Sequence, residues 1–115
     1  MEKGVRIAIN LDELKRTDLR MGEILGAELT PNGDQPLKLK ADLGEERRHA
    51  VTALAQSYTP GELHGMKVVV VANVAPVRIK GIESRGMLLG VGCDEVKSVA
   101  LLTTSRPMPN GASVL

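Results

Sequence analysis

The chain has 115 residues, 43% hydrophobic and 25% charged, and this size and composition fit one folded domain and exclude two. The longest apolar run, residues 68–72, is far too short to cross a bilayer, and the first residues lack the apolar stretch of a signal peptide. One cysteine excludes an internal disulfide, and a net charge of +1 gives no overall basic field. We therefore expect a single cytoplasmic domain over residues 1–115, with no membrane partner.

The first half of the chain predicts one short helix and three strands. Asn10 and Glu13 have the spacing of a capping box, which predicts a helix directly after Asn10. Residues 19–27 alternate between apolar and other side chains but are interrupted by two glycines, which predicts a long, bent strand. Residues 37–43 alternate strictly, as a half-buried strand does, and a tight turn leads into a third strand over residues 48–54.

The second half predicts another short helix and further strands. Thr59 and Glu62 form a second capping box, with a proline at the first helical position. Residues 68–72 predict a strand buried on both faces, and residues 87–91 and 99–102 predict two more. Five to seven short strands with two minor helices predict an all-β fold. Its glycine-broken first strand suits an OB-fold five-stranded barrel with short flanking helices and extra terminal strands.

Side chains suited to catalysis or metal binding are scarce. His49 and His64 are the only histidines, and neither has a cysteine or carboxylate at metal-ligand spacing. The glycine-containing segment at residues 81–86 lacks the Lys-Ser/Thr end of a phosphate-binding loop. We therefore expect a protein that is not an enzyme and that holds no metal or cofactor.

Positive charge is concentrated locally. Residues 67–85 carry four basic side chains and one acidic side chain, a local net charge of +3. On charge alone, this segment is either a surface for a polyanion or an ordinary solvated loop.

The same region carries a resemblance to a known family. Residues 73–89 read Asn-Val-Ala-Pro-Val-Arg-Ile-Lys-Gly-Ile-Glu-Ser-Arg-Gly-Met-Leu-Leu. This segment closely resembles the signature of the tRNA-binding domain family, an OB-fold module appended to many methionyl-tRNA synthetases and also found as a free-standing dimer. Residues 18–24, 37–44 and 58–73 resemble, in order, the opening strand, the second strand and the helix-to-strand passage of that family. The resemblance covers about residues 10–115.

The resemblance implies structure-specific tRNA binding without catalysis, free-standing or as an accessory subunit of methionyl-tRNA synthetase. Recognition of the folded tRNA corner by shape agrees with a chain whose single aromatic residue is Tyr58. The site that the resemblance implies consists of Asn73, Arg78, Lys80, Ser84, Arg85 and Met87.

The residue types at this implied site suit RNA. Arg78 and Lys80 can neutralise phosphates, and Ser84 offers a hydroxyl to a sugar or phosphate. Asn73 either contacts a nucleotide or holds the backbone of its own loop. Met87 either covers a base or belongs to the core. The sequence leaves both of these alternatives open.

The chain also departs from the family pattern. The departures remove charge or backbone freedom near the implied groove and predict a weakened or altered affinity for RNA; they are Gln35, Pro36, Thr52, Ala53 and Val77.

Two other functions compete with tRNA binding. A CsaA-like secretion chaperone, which has the same fold, would bind peptides, and a groove of low charge flanked by Met21, Met66 and Met87 would favour it. The cations of residues 78–85 favour RNA instead. The third possibility is a structural subunit that docks a synthetase and contacts no RNA.

The ends of the chain predict a homodimer. Residues 5–14 and 99–115 are rich in apolar side chains and exceed what five strands require. A two-fold contact between two copies would cover them, as in free-standing members of the resembled family. The alternative is that both segments fold back on their own barrel.

Overall fold

The computed structural model describes residues 7–29, 37–52, 57–79, 81–93, 95 and 98–114. Of the positions singled out above, Gln35, Pro36, Ala53 and Lys80 lie outside these ranges. The described elements are α1 (Leu11–Lys15), β1 (Leu19–Leu29), β2 (Leu37–Asp42), β3 (Arg47–Thr52), α2 (Pro60–Leu63), β4 (Lys67–Val71), β5 (Val77–Ile79), β6 (Ile82–Ser84), β7 (Met87–Leu88), β8 (Gly90–Cys93) and β9 (Ser98–Leu101).

The main sheet is antiparallel, with the strand order β3-β2-β1-β4-β7. It curls into a nearly closed barrel, because the backbone N–H of Arg85, just after β6, donates to the carbonyl of His49 in β3 at 2.9 Å. Two small hairpins, β5–β6 and β8–β9, complete the described fold. The predicted all-β barrel is confirmed. Among the described residues, no helix has the length and apolar character needed to cross a membrane.

Strand β1 is bent and joins both halves of the barrel, as its sequence predicts. Its first half pairs with β4 and its second half with β2, and the register shifts between Ile24 and Gly26. A Cβ atom on Gly22 would lie 2.9 Å from Leu43 Cδ2, so this glycine permits a close approach inside the bend.

The core lies inside this barrel. The strict alternation of β2 buries Leu37, Leu39 and Ala41 and leaves the lysines between them outside. β4 is buried over its three central valines, and the fully buried Leu63 of α2 closes one end. Each such side chain stabilises the fold by about 1.5–3 kcal/mol when it leaves water.

The C-terminal segment folds back onto its own barrel. Gly111 N donates to Met21 O at 2.7 Å, Met21 N donates to Ala112 O at 2.9 Å, and Val114 N donates to Leu19 O at 2.9 Å. Residues 111–114 thus occupy the edge of β1 that β2 leaves unpaired. For these four residues, the structure shows the alternative in which the segment folds back on its own barrel.

The N-terminal segment, in contrast, leaves its apolar side chains exposed. Helix α1 begins with the predicted capping box, in which Glu13 N donates to Asn10 Oδ1 at 2.8 Å, but none of its residues is buried. Ile7, Ile9 and Leu11 are 91%, 60% and 62% exposed.

Candidate nucleic-acid interface

The segment that resembles the family signature forms the β5–β6 hairpin, which the sequence pattern did not indicate. Arg78 pairs with Glu83 across the hairpin, and Ile79 pairs with Ile82. Gly81 at the turn has a φ of +82°, a left-handed conformation that glycine adopts without strain. Arg78 Nη1 donates to the Gly81 carbonyl at 2.7 Å. The guanidinium of Arg78 is therefore held beside the turn, with its side chain exposed.

An open groove of about 790 Å³ separates this hairpin from β2 and β3. Of the described residues, five basic side chains and two carboxylates line it, which leaves a surplus of three positive charges. We call it the basic groove; its lining residues are Lys38, Glu46, Arg47, Arg48, His49, Arg78, Gly81, Ile82, Glu83 and Arg85.

One of these cations is committed to the fold. Arg48 lies opposite the buried Ala41, and its guanidinium donates both to Glu46 Oε1 and to the carbonyl of Ala72 at the end of β4. It thereby links the start of β3 to β4 across the barrel. The four basic side chains that remain for a ligand are Lys38, Arg47, Arg78 and Arg85, and among the described residues none of them takes part in an ion pair.

Ser84 lies beneath this groove. It is only 3% exposed. Its Oγ accepts a hydrogen bond from Val51 N at 3.0 Å and donates one to the Gly86 carbonyl at 3.3 Å. The hydroxyl therefore satisfies buried backbone groups where β6 meets β3, and both of its described partners are parts of the barrel.

Arg85 and Met87 are exposed residues next to the point where the end of β6 closes the barrel against β3. The side chain of Arg85 lines the basic groove while its backbone is bonded to β3. Met87 pairs with Val71 at the end of β4 and is 53% exposed. Of the two alternatives for Met87, burial in the core is excluded.

Asn73 holds the junction between α1 and β1. Its Oδ1 accepts from Asp18 N at 2.9 Å, and its Nδ2 donates to the carbonyl of Arg16 at 2.6 Å. The backbone that it holds belongs to this junction and not to its own loop. The same loop therefore connects the hairpin region to the N-terminal helix.

A second depression adjoins the basic groove at the bulge of β1. It has a volume of about 500 Å³ and shares Lys38, Arg47 and His49 with the groove. We call it the bulge pocket; its lining residues are Leu25, Gly26, Ala27, Glu28, Lys38, Leu39, Lys40, Arg47 and His49.

The family model described as "Putative tRNA binding domain" matches residues 19–113, which include the whole barrel, the hairpin and the basic groove. The chain belongs to the tRNA-binding domain family. The resemblance noted from residues 73–89 is thereby confirmed.

Curated relatives carry this tRNA-binding domain within much longer chains. The chain is 42% identical over 107 residues to a methionine–tRNA ligase of Thermotoga maritima, covering 93% of this chain and 17% of the relative. It is 39% identical over 106 residues to that of Methanococcus aeolicus, covering 92% of this chain and 15% of the relative. The tRNA-binding domain thus spans about a sixth of the ligases that it matches.

Solved structures of similar length share the fold. A MetRS related protein from Pyrococcus horikoshii superposes with a TM-score of 0.88 at 31% identity, covering 96% of this chain and 100% of that chain. The chaperone CsaA from Bacillus anthracis gives 0.84 at 30% identity, covering 95% and 100%. A CsaA chaperone protein from Picrophilus torridus, at 23% identity, supports the fold only.

Sequence reasoning missed half of the side chains that the tRNA-binding domain presents in its basic groove. Lys38, Arg47 and His49 come from β2 and β3, far along the chain from the hairpin. The signal was the cationic run at residues 47–48. Its proximity to Arg78 and Arg85 follows from the closure of the barrel, which periodicity does not reveal.

The methionines of the tRNA-binding domain do not form one groove. Of the three methionines that would flank such a groove, Met21 is 2% exposed, Met66 packs against the core, and Met87 alone is exposed. The weakly charged methionine groove that would favour a peptide is therefore missing from the described residues.

Proposed function

We propose that this tRNA-binding domain binds tRNA without catalysing a reaction on it, and that the basic groove is the binding surface. The surplus of three positive charges in that groove is the observation that carries the proposal. Phosphates supply most of the affinity in such contacts, and cations on a rigid barrel read the spacing of phosphates rather than the bases.

Recognition by shape follows from the chemistry available. Tyr58 is the only tyrosine, and the chain has no phenylalanine or tryptophan. Its ring packs against the core, and its hydroxyl accepts from Leu101 N at 3.1 Å. Proteins that stack a series of unpaired bases need several exposed rings. A folded, mostly paired tRNA surface fits this protein better.

The six residues of the predicted site have two different tasks in this function. Arg78, Arg85 and Lys80 neutralise phosphates, and the exposed Met87 offers an apolar contact. Ser84 and Asn73 position the groove, because their hydrogen bonds fix the barrel closure and the α1–β1 junction.

The proposed partners follow from the comparison with the methionine–tRNA ligases and the MetRS related protein. The domain serves tRNA either free-standing, in the cytoplasm, or as an accessory of a methionyl-tRNA synthetase. A chaperone function is the alternative, favoured by the structural likeness to CsaA of Bacillus anthracis. The charge of the basic groove favours RNA over an unfolded peptide.

We also propose that two copies associate through the exposed apolar residues of the N-terminal segment. Ile7, Ile9, Leu11 and Leu14 present apolar side chains to solvent on a short segment with no buried residue in its helix. A homodimer would cover them and would present two basic grooves to one tRNA.

A salt series with unfractionated tRNA tests the proposed function. Each phosphate contact contributes about 0.9 to the slope of log affinity against log salt on a duplex. The variant Arg78→Ala/Lys80→Ala should therefore bind all tRNAs more weakly and lower the slope by about 1 to 2.

The matched control is Lys15→Ala/Arg106→Ala, which removes two exposed charges away from the basic groove and should change the slope little. Equal affinity of the groove variant and the parent across the series would place the site elsewhere. Preferential binding of an unfolded peptide, with no binding of tRNA, would favour the chaperone function.

A further inference from the structure

The bulge pocket has features that phosphate neutralisation leaves unexplained. It is an open depression of about 500 Å³, a volume within the range of about 300–1,000 Å³ that is usual for small-ligand sites. It adjoins the basic groove, because three side chains line both depressions. A ligand in the groove can therefore extend one group into the pocket.

A glycine creates this pocket. Gly26 lies directly across from Lys40 in the β1–β2 ladder, and Lys40 lies across from His49 in the β2–β3 ladder. The three positions form one row across the sheet, and facing positions in a row project on the same side. A Cβ atom on Gly26 would meet nothing within 4 Å, so the row is empty at its β1 end.

The walls of the pocket are charged, and its floor is made of small residues. Lys38, Lys40 and Arg47 supply three cations against one carboxylate, Glu28, which lies across from Lys38. The floor consists of the backbone and small side chains at residues 26–27. His49 is the only ring that lines either depression.

The bulge also fixes the shape of the pocket. Gly65 N donates to Ile24 O at 2.7 Å, and His64 Nδ1 lies 2.7 Å from the carbonyl of Leu25. The carbonyls of Ile24 and Leu25, at the bulge, are thus bound by His64 and Gly65 at the end of α2. These contacts hold β1 in its bent form. A pre-formed cavity binds a ligand at a lower entropic cost than a cavity that must open.

We propose that the bulge pocket receives one unpaired nucleotide of the bound RNA, with its base over Gly26 and Lys40 and one edge towards the His49 ring, and with its phosphate at Arg47 and Lys38. This inference rests on the proposed function and adds a contact to a base, whereas the basic groove contacts phosphates. One glycine notch and one ring accommodate one base and not a stack of bases. A folded tRNA corner exposes unpaired nucleotides beside paired helices, which matches a pocket that opens from a phosphate groove.

The first experiment detects the nucleotide without tRNA. Ribonucleoside 5′-monophosphates are titrated into the ¹⁵N-labelled protein, with ribose 5-phosphate as the matched ligand that lacks a base. The nucleotides should shift the amide signals of residues 26 and 27 in addition to those near Arg47 and Lys38, whereas ribose 5-phosphate should shift only the latter, which include Glu28 across from Lys38. Equal shifts from both ligands, or no shift at residues 26 and 27, would overturn the inference.

The second experiment fills the pocket. Gly26→Val adds an isopropyl side chain to an empty space in a strand that favours branched residues, and it leaves the charge unchanged. It should abolish the base-dependent shifts at residues 26 and 27 and weaken tRNA binding about tenfold, with the salt slope unchanged because the phosphate contacts at Arg47 and Lys38 remain. Gly92→Val is the control, because Gly92 lies in exposed β8 and a Cβ there would make an ordinary contact of 3.7 Å to Val99.

The two proposals fail in different ways. If the parent does not bind tRNA at any salt concentration, the proposed function is wrong, whatever the nucleotides do. If tRNA binds with the expected salt slope but Gly26→Val binds it as tightly as the parent, only the nucleotide pocket is wrong.

Discussion

Single hydrogen bonds decide how the basic groove is held. Ser84 is the clearest case, because its residue type suits a contact to RNA while its burial and its two backbone partners suit a closure of the barrel. Sequence could identify the position as important but could not distinguish these tasks, since the distinction depends on which backbone N–H lies above the hydroxyl.

Ser84→Ala separates the two tasks. It leaves the buried N–H of Val51 without its partner, which should lower the free energy of unfolding by about 1–3 kcal/mol in urea denaturation. The salt slope of tRNA binding should stay that of the parent. Ser105→Ala, at an exposed position, should change stability by less than about 0.5 kcal/mol. A variant with parental stability and weakened tRNA binding would make Ser84 a direct contact.

At the scale of elements, strong local signals were predictive and weak ones were not. Both capping boxes and the strict alternation of residues 37–43 correspond to α1, α2 and β2. The β5–β6 hairpin has strands of three residues each, too short for a period to show. The strand predicted over residues 87–91 is divided between β7 and β8 at Leu89, whose N–H donates to Val69 O in β4 while its carbonyl accepts from Leu102 N, just beyond β9.

Helix α2 supports the bulge, and its cap responds to pH. The Thr59 backbone N–H and then the Thr59 hydroxyl donate to the Glu62 carboxylate and lower its pKa below the ordinary value of 4.5. A lowered pKa in the folded state means that this contribution to stability is present above pH 4.5 and is lost as the pH falls through the lowered value.

Glu62→Gln tests this pH dependence. The parent should be more stable than the variant at neutral pH, and the difference should shrink below pH 4.5 when unfolding by urea is followed across pH. Glu45→Gln, at an exposed residue outside any helix cap, serves as the control. A difference that stays constant with pH would show that the Glu62 carboxylate does not stabilise the cap.

At the scale of the whole molecule, the two ends of the chain behave differently. The last described residues complete the barrel of their own chain, while residues 7–14 leave apolar side chains in solvent. Sequence placed both segments in one dimer interface because both are apolar. It could not reveal that the edge of β1 was free to accept residues 111–114.

Sedimentation equilibrium at micromolar concentration tests the proposed dimer. We expect a mass near twice 12.3 kDa for the parent and a mass near 12.3 kDa for Leu11→Glu/Leu14→Glu, because charged side chains oppose burial at the contact. Leu29→Glu, at an exposed position near the far end of β1, should leave the mass unchanged. A parent of 12.3 kDa would show that the N-terminal segment remains uncovered.

The pairing of residues 111–114 with β1 also has a consequence for synthesis on the ribosome. The part of the β1 edge at residues 19–21 stays open until residues 111–114 have emerged, because these residues supply its hydrogen bonds. Contacts between such distant parts of a chain slow folding, and an open strand edge is a surface on which nascent chains associate. The barrel therefore reaches its final form only after translation of the C-terminal segment, whatever order its inner strands follow.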